Sequence, residues 1–326
     1  MARFQILCLT GGGYLGLYTA KILAALESVG KRPLGQSFDL ICGTSIGGIL
    51  ALGLAYEVPA ASIVAEFEKR GEQIFPTGRS CLLRRVFSPA YSAAPLRSVV
   101  ESLLGKGRIL GEAMHPVLVP AVSLTKGSAQ IFKTPHHARF QMDWKLNPVD
   151  IAMATSAAPT IFPLARIGDN LYADGGLFAN APDLMAVHEA RTFFDGVDLN
   201  DINILSVGTT SQSFTFGHAG GTNMGIVGWA RQFRLLRVIM SSQQKLVDDM
   251  VRHMLGDRYC RVDAAQSPQQ SSELGLDKAN LSAIQTLGAM AANSVQEVIS
   301  DPRIAEFLAH TANPPRYFHG PRANIS

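Results

Sequence analysis

The sequence predicts an α/β fold, a mostly parallel central sheet flanked by helices, on three observations. Phe4 to Leu9 is a short, nearly continuous apolar run, followed by Gly11-Gly12-Gly13 and then by Leu15, Tyr18, Ile22, Ala25 and Val29 at near-helical spacing. Phe38 to Cys42 is a second such run, turned by Gly43-Thr44-Ser45 into the apolar stretch Ile46 to Tyr56. Ile202 to Val207 is a further buried-strand pattern late in the chain. A strand covered on both faces reads as an unbroken apolar segment, and two successive strand-turn-helix units imply parallel neighbours.

The remaining elements follow in order. Residues 60 to 75 carry amphipathic helical spacing, whereas 76 to 95 mix Pro, Gly and Ser with Arg79, Arg84 and Arg85 and read as a surface loop or lid. Val117 to Ser123 and Ala129 to Lys133 read as strands. Asn147-Pro148 opens a helix, because Asn accepts from free first-turn amides and Pro suits that turn; the helix is expected to end at Ala157-Ala158-Pro159. Leu171 to Ala173 and Leu177 to Ala179 flank Asp174-Gly175-Gly176, and a glycine-rich segment, Gly217 to Gly225, follows Val207. From about 226 the chain reads as mainly helical. No repeat or linker divides it, so residues 1–326 are expected to form a single domain, a core of about 4–208 with 226–326 packed against it.

Composition narrows the function. A chain of 326 residues with 47% hydrophobic content buries a large core. A net charge of +3 is too weak for wrapping polymeric nucleic acid and suits an anionic membrane surface or a phosphorylated ligand. Cys8, Cys42, Cys81 and Cys260 stand apart, without metal-ligand spacing, so neither disulfides nor a bound metal is expected, and the setting reads as a reducing cytoplasm. No export signal is visible, and the longest apolar stretch, Ile46 to Tyr56, falls short of the ~20 residues that span a bilayer. Membrane contact is therefore expected to be peripheral.

Gly43-Thr44-Ser45-Ile46-Gly47 fits G-x-S-x-G between a strand and a helix, the setting that thrusts a serine out of a tight turn. The helix N-terminus behind Ser45 favours a developing alkoxide. Gly11-Gly12-Gly13-Tyr14-Leu15-Gly16 also fits G-x-G-x-x-G, which leaves two readings. A dinucleotide-binding loop, of an oxidoreductase or a binding module, needs an acid at the end of the second strand, but Asp39 lies at its beginning. The same amides can instead hold the oxyanion of an acyl intermediate. Asp174-Gly175-Gly176 is a favoured hairpin turn when taken alone. Beside Ser45, the Asp would be a base whose pKa burial raises, with Gly175 and Gly176 allowing close approach. The histidines, His136-His137 in an expected surface turn and His188 on a helix among them, leave a Ser-His-Asp triad as the alternative mechanism. A protease or thioesterase on the same serine stays open too.

Taken together, the glycine loop, the serine elbow about 30 residues on and the distant Asp-Gly-Gly resemble the patatin-like phospholipase family. Ala154-Thr155-Ser156-Ala157-Ala158-Pro159-Thr160-Ile161-Phe162-Pro163 is similar to that family's segment before the aspartate. The resemblance covers about residues 4 to 208 and implies a three-layer patatin-like fold and a serine acyl hydrolase that cleaves phospholipid acyl esters without a cofactor. It implies Ser45 as nucleophile, Asp174 as base, and Gly11, Gly12, Gly13 and Tyr14 as the oxyanion loop, supported by Gly16, Gly43, Gly47, Gly175 and Gly176. Leu15 stands where the family usually has Arg, which puts the resting order of that loop in question. Leu9 to Ile22 and Phe38 to Leu54 look most like bacterial cyclic-dinucleotide-activated phospholipases of the CapV type, antiphage effectors. That implies 3′,3′-cGAMP or a relative as activator and the cell's own inner membrane as target. Arg231, Arg234 and Arg237 are spaced along one helix and are candidates for contact with lipid phosphates or such a nucleotide. Cys81-Leu82-Leu83 between arginines could dip into a bilayer interface or cover the site.

Overall fold

A computed structural model describes residues 3–77, 88–210, 225, 228–229 and 234–323. The two expected units are present: β1 (Phe4–Leu9) leads through a glycine turn into α1 (Gly16–Gly30), and β2 (Leu40–Gly43) into α2 (Ile46–Ala55). The amphipathic helix α3 (Ala60–Ile74) and α4 (Ala94–Leu104) follow, then β3 (Val117–Ser123) and β4 (Ser128–Lys133). Helix α5 (Pro148–Thr155) is capped as expected, Asn147 accepting from the Val149 amide at 2.8 Å. It stops two residues early, because the Thr155 and Ala157 carbonyls turn to accept from Gly175 and Asp174.

The Asp-Gly pair is not a hairpin. Gly168-Asp169 makes that turn, between β5 (Ala165–Ile167) and β6 (Asn170–Asp174), and Asp174 ends β6 just before the short α6 (Gly176–Ala179). Next come α7 (Asp183–Phe193), β7 (Ile202–Val207) and α8 (Arg234–Leu255). The C-terminal part holds a strand that its pattern did not announce, β8 (Tyr259–Val262), before α9 (Pro268–Glu273), α10 (Leu281–Ile299) and α11 (Pro302–Ala309). Arg261 interrupts β8's apolar run, yet its side chain is largely withdrawn from solvent, held by Ser206 and Asp263, each at 2.7 Å.

The sheet runs β5-β6-β3-β2-β1-β7-β8, with β4 on the free side of β3. The block β3-β2-β1-β7-β8 is parallel, as predicted; β4, β5 and β6 add an antiparallel end. Alternation along the strands makes two cores. Leu7, Leu9, Ile41, Leu205 and Val207 pack with α1, α2 and α3, while Ile6, Cys8, Cys42 and Ile204 meet α7 and the end of α8. Cys8, Cys42 and Cys260 are buried free thiols.

One detail of register positions the site. β4 occupies one edge of β3 from Leu118 to Ser123. On the other edge β2 pairs with Val117 and Leu118, and β6 pairs with Ala121 to Ser123. β2 is parallel to β3 and β6 antiparallel, so they lie in line along one edge with their C-terminal ends pointing at each other. Pro120 lies in the gap, where no strand needs the amide that proline lacks.

Candidate active site

Ser45 leaves β2 at that gap. Its backbone is at φ 56° and ψ −124°, a conformation costing of order 1–3 kcal/mol for a residue with a side chain. The elbow also needs its glycines: a Cβ on Gly43 would lie 2.0 Å from the Gly47 carbonyl oxygen, and one on Gly47 would lie 2.3 Å from that of Leu9. Thr44 donates to the Ala179 carbonyl at 2.6 Å, tying the elbow to α6.

Asp174 arrives from the opposite direction. Ser45 Oγ donates to Asp174 Oδ2 at 2.7 Å, and the Gly176 amide donates to Oδ1 at 2.7 Å. Burial pushes the Asp174 carboxyl up to about 6, while the bonds from Gly176 and Ser45 pull it down. A carboxylate that titrates near 6 is a far better proton acceptor at neutral pH than an ordinary aspartate. Gly175 packs against the Pro120 carbonyl, where a Cβ would come within 2.3 Å.

The glycine loop after β1 completes the site. The Gly11 amide donates to the Asn180 carbonyl at 3.0 Å, and the Tyr14 amide to the Leu276 carbonyl at 2.8 Å. Gly12 and Gly13 amides have no acceptor among the described residues. Thr209 Oγ1 donates to the Gly11 carbonyl at 3.0 Å, fixing the loop to the end of β7. A Cβ on Gly16 would overlap Ile46, so the two turns touch. Leu15, in place of the family's Arg, is buried in the core.

Ser45, Asp174, Gly13 and Tyr14 open into a cavity lined mainly by apolar side chains, among them Phe67, Phe75, Phe162, Leu236, Met240 and Leu276. Ser156 also lines it, its buried hydroxyl unpartnered among the described residues. A hydroxyl bonded to a buried carboxylate, beside amides with no acceptor among the described residues and an apolar chamber, suits acyl transfer from an apolar ester.

The patatin-like phospholipase family model matches residues 7–187. The chain belongs to the patatin-like phospholipase family. A cGAMP-activated phospholipase of Pseudomonas aeruginosa is 40% identical over 327 residues, 99% of this chain and 97% of that protein. Proteins of the same description from Escherichia coli and Vibrio cholerae are 35% and 33% identical over 88% and 94% of this chain, and over 87% and 94% of their own length.

Within this patatin-like phospholipase, no described histidine lines the cavity. His136 is buried, contrary to the surface turn expected for it, because its ring meets Glu189 at 3.1 Å and stacks on Phe194. His310 faces Asp39 at 3.0 Å, and Asp39 also accepts from the Gln5 amide, just before β2 and away from the glycine loop. That position cannot serve a ribose on the Gly11–Gly16 loop. Of the expected arginines, Arg234 and Arg237 lie on α8 in the stretch that carries Leu236 and Met240. Arg231, Cys81-Leu82-Leu83 and most of Gly217 to Gly225 lie outside the described residues. No helix among the described residues is long and apolar enough to cross a membrane. Leu276, which accepts from the Tyr14 amide through its carbonyl, gave no sequence signal, and Thr155, bonded to the Ser45 amide, lay within the family-like segment Ala154 to Pro163 without being singled out.

Proposed function

We propose that the protein is a phospholipase A-type acyl hydrolase using a Ser45–Asp174 dyad, switched on by a cyclic dinucleotide of the 3′,3′-cGAMP type. The observation that carries the catalytic reading is the 2.7 Å bond from Ser45 to a buried carboxylate beside the open Gly12 and Gly13 amides. Ser45 Oγ attacks the ester carbonyl as its proton passes to Asp174. Gly12 and Gly13 amides hold the oxyanion, and Asp174 returns the proton to the leaving glycerolipid alcohol. Water, activated by the same carboxylate, then releases the fatty acid. Gly11 and Tyr14 shape the loop through bonds their amides already make.

The nucleotide part rests on likeness to the cGAMP-activated phospholipases over nearly the whole chain. Peripheral contact with the inner membrane would place Arg231, Arg234 and Arg237 near lipid or nucleotide phosphates. Degrading the cell's own phospholipid fits the antiphage role that the sequence suggested. The test incubates the full chain with vesicles of mixed bacterial phospholipids, with and without a panel of cyclic dinucleotides, and measures released fatty acid. Release is expected only with an activating nucleotide and only with Ser45 and Asp174 intact. Release by Asp174→Ala overturns the dyad; release that ignores every nucleotide overturns the switch.

A further inference from the structure

We propose that Thr155 is a positioning residue of the dyad, its single hydroxyl locking the serine elbow to the strand gap from which Asp174 approaches. This rests on the Ser45–Asp174 reading. Thr155 Oγ1 accepts from the Ser45 amide at 2.9 Å and donates to the Pro120 carbonyl at 2.6 Å. The Thr155 carbonyl accepts from the Gly175 amide at 3.3 Å. The residue is fully buried.

The need for such a group follows from the register. β2 and β6 stop short of one another on the edge of β3, so the Ser45 amide and the Pro120 carbonyl face a gap with no strand to pair them. One is a donor and the other an acceptor, and only a group with both capacities satisfies the two at once. A hydroxyl does so, in one orientation: its lone pair meets Ser45 and its proton meets Pro120. Ser45 is held at a positive φ, and an unpartnered amide there would let the elbow relax. The carbonyl of the same residue holds Gly175, directly after Asp174, so Thr155 sets the nucleophile and the base against a common reference. The side-chain methyl is separate, packing toward Gly48.

Two substitutions pull these roles apart. Thr155→Val keeps the shape and loses the hydroxyl; Thr155→Ser keeps the hydroxyl and loses the methyl. Positioning predicts that Thr155→Val lowers kcat by about 100-fold, the cost typical of a reacting group displaced by about an ångström, with KM within about threefold. Thr155→Ser is expected to stay within about fivefold of wild type, and Ser45 labelling by a serine-reactive phosphonate should follow the same order. A residue that merely fills space gives the reverse order, with Val benign and Ser impaired. Where Thr155→Val does not fold, Thr155→Ala against Thr155→Ser carries the comparison, since both lack the methyl. Wild type that releases fatty acid while Thr155→Val equals it, or Thr155→Ala equals Thr155→Ser, overturns this inference alone. Wild type that neither hydrolyses phospholipid nor reacts with the phosphonate takes the dyad reading down with it.

Discussion

Residues up to Val207 carry Ser45, Asp174 and the open amides of Gly12 and Gly13, all on turns at strand ends, whereas residues from 234 onward carry none of these groups. The later region supplies wall instead: Leu236 and Met240 from α8, and Leu276 from the loop between α9 and α10. The family match, residues 7–187, includes the part of the wall built by Phe67, Phe75 and Phe162 and ends before the part built by Leu236, Met240 and Leu276. Chemistry depends on backbone positions that a sheet holds rigidly, while a cavity wall depends on side-chain shape that helices and loops can vary. Polar contacts tie the two regions together, several of them close to the cavity. Leu276 accepts from Tyr14, Gln243 Nε2 donates to the Leu177 carbonyl at 2.8 Å, and Asp277 accepts from the Tyr91 hydroxyl at 2.8 Å.

The largest effect should come from the first region. Ser45→Ala or Asp174→Asn is expected to lower fatty acid release by at least about 10³-fold with near-native circular dichroism. A comparable loss from any wall substitution would break the division. Gly13→Ala tests the seam, because its Cβ would lie 2.2 Å from the Leu276 carbonyl oxygen at a φ of 57°. Displacing this loop should cost about 10²-fold in kcat, the order seen for loss of one oxyanion donor. Leu276→Ala and Met240→Ala sharpen the contrast from the other side. Across a series of ester chain lengths, preference should shift by about tenfold while kcat on the shortest ester stays within about threefold. Unchanged selectivity would remove these residues from the acyl wall.

The smallest effect concerns pH. Burial raises the Asp174 carboxyl from its ordinary 3.8 to about 6, so the folded state binds that proton more tightly than the unfolded chain. Its contribution to stability is therefore fully present below pH 3.8 and is lost as pH rises through about 6, where the buried group ionises. Asp174→Asn should accordingly raise Tm by a few degrees at pH 8, and the gap should close in acid as both side chains become neutral. Activity of the wild type should fall on the acid side of about 6 for the same reason. A Tm difference that does not change with pH would mean the carboxylate is not desolvated.

Much of the first region was legible because its signals are local. Mainly apolar runs announced β1, β2 and β7, and Asn147-Pro148 announced α5. Asp174 was ambiguous for a physical reason: Asp-Gly between apolar residues suits a hairpin turn as well as a strand end, and only the pairing of β6 with β3 separates the two. β8 escaped notice because Arg261 breaks its apolar pattern, and the Ser206 and Asp263 partners that make this burial tolerable lie on other segments or beyond the strand. His136 was misplaced for a related cause, since Glu189 lies 53 residues away in sequence.

By itself the sequence determined the elbow at Ser45, because close approach of Gly43, Gly47 and the β1 backbone restricts residue type within one strand-turn-helix unit. The sequence pointed to Asp174, 129 residues away, as its partner only through the family resemblance, and the tertiary structure decided the approach that bonds the two. That choice belongs to β3, whose one edge receives β2 and β6 from opposite directions. Strand register is set by the packing of the whole sheet and leaves no mark within either segment.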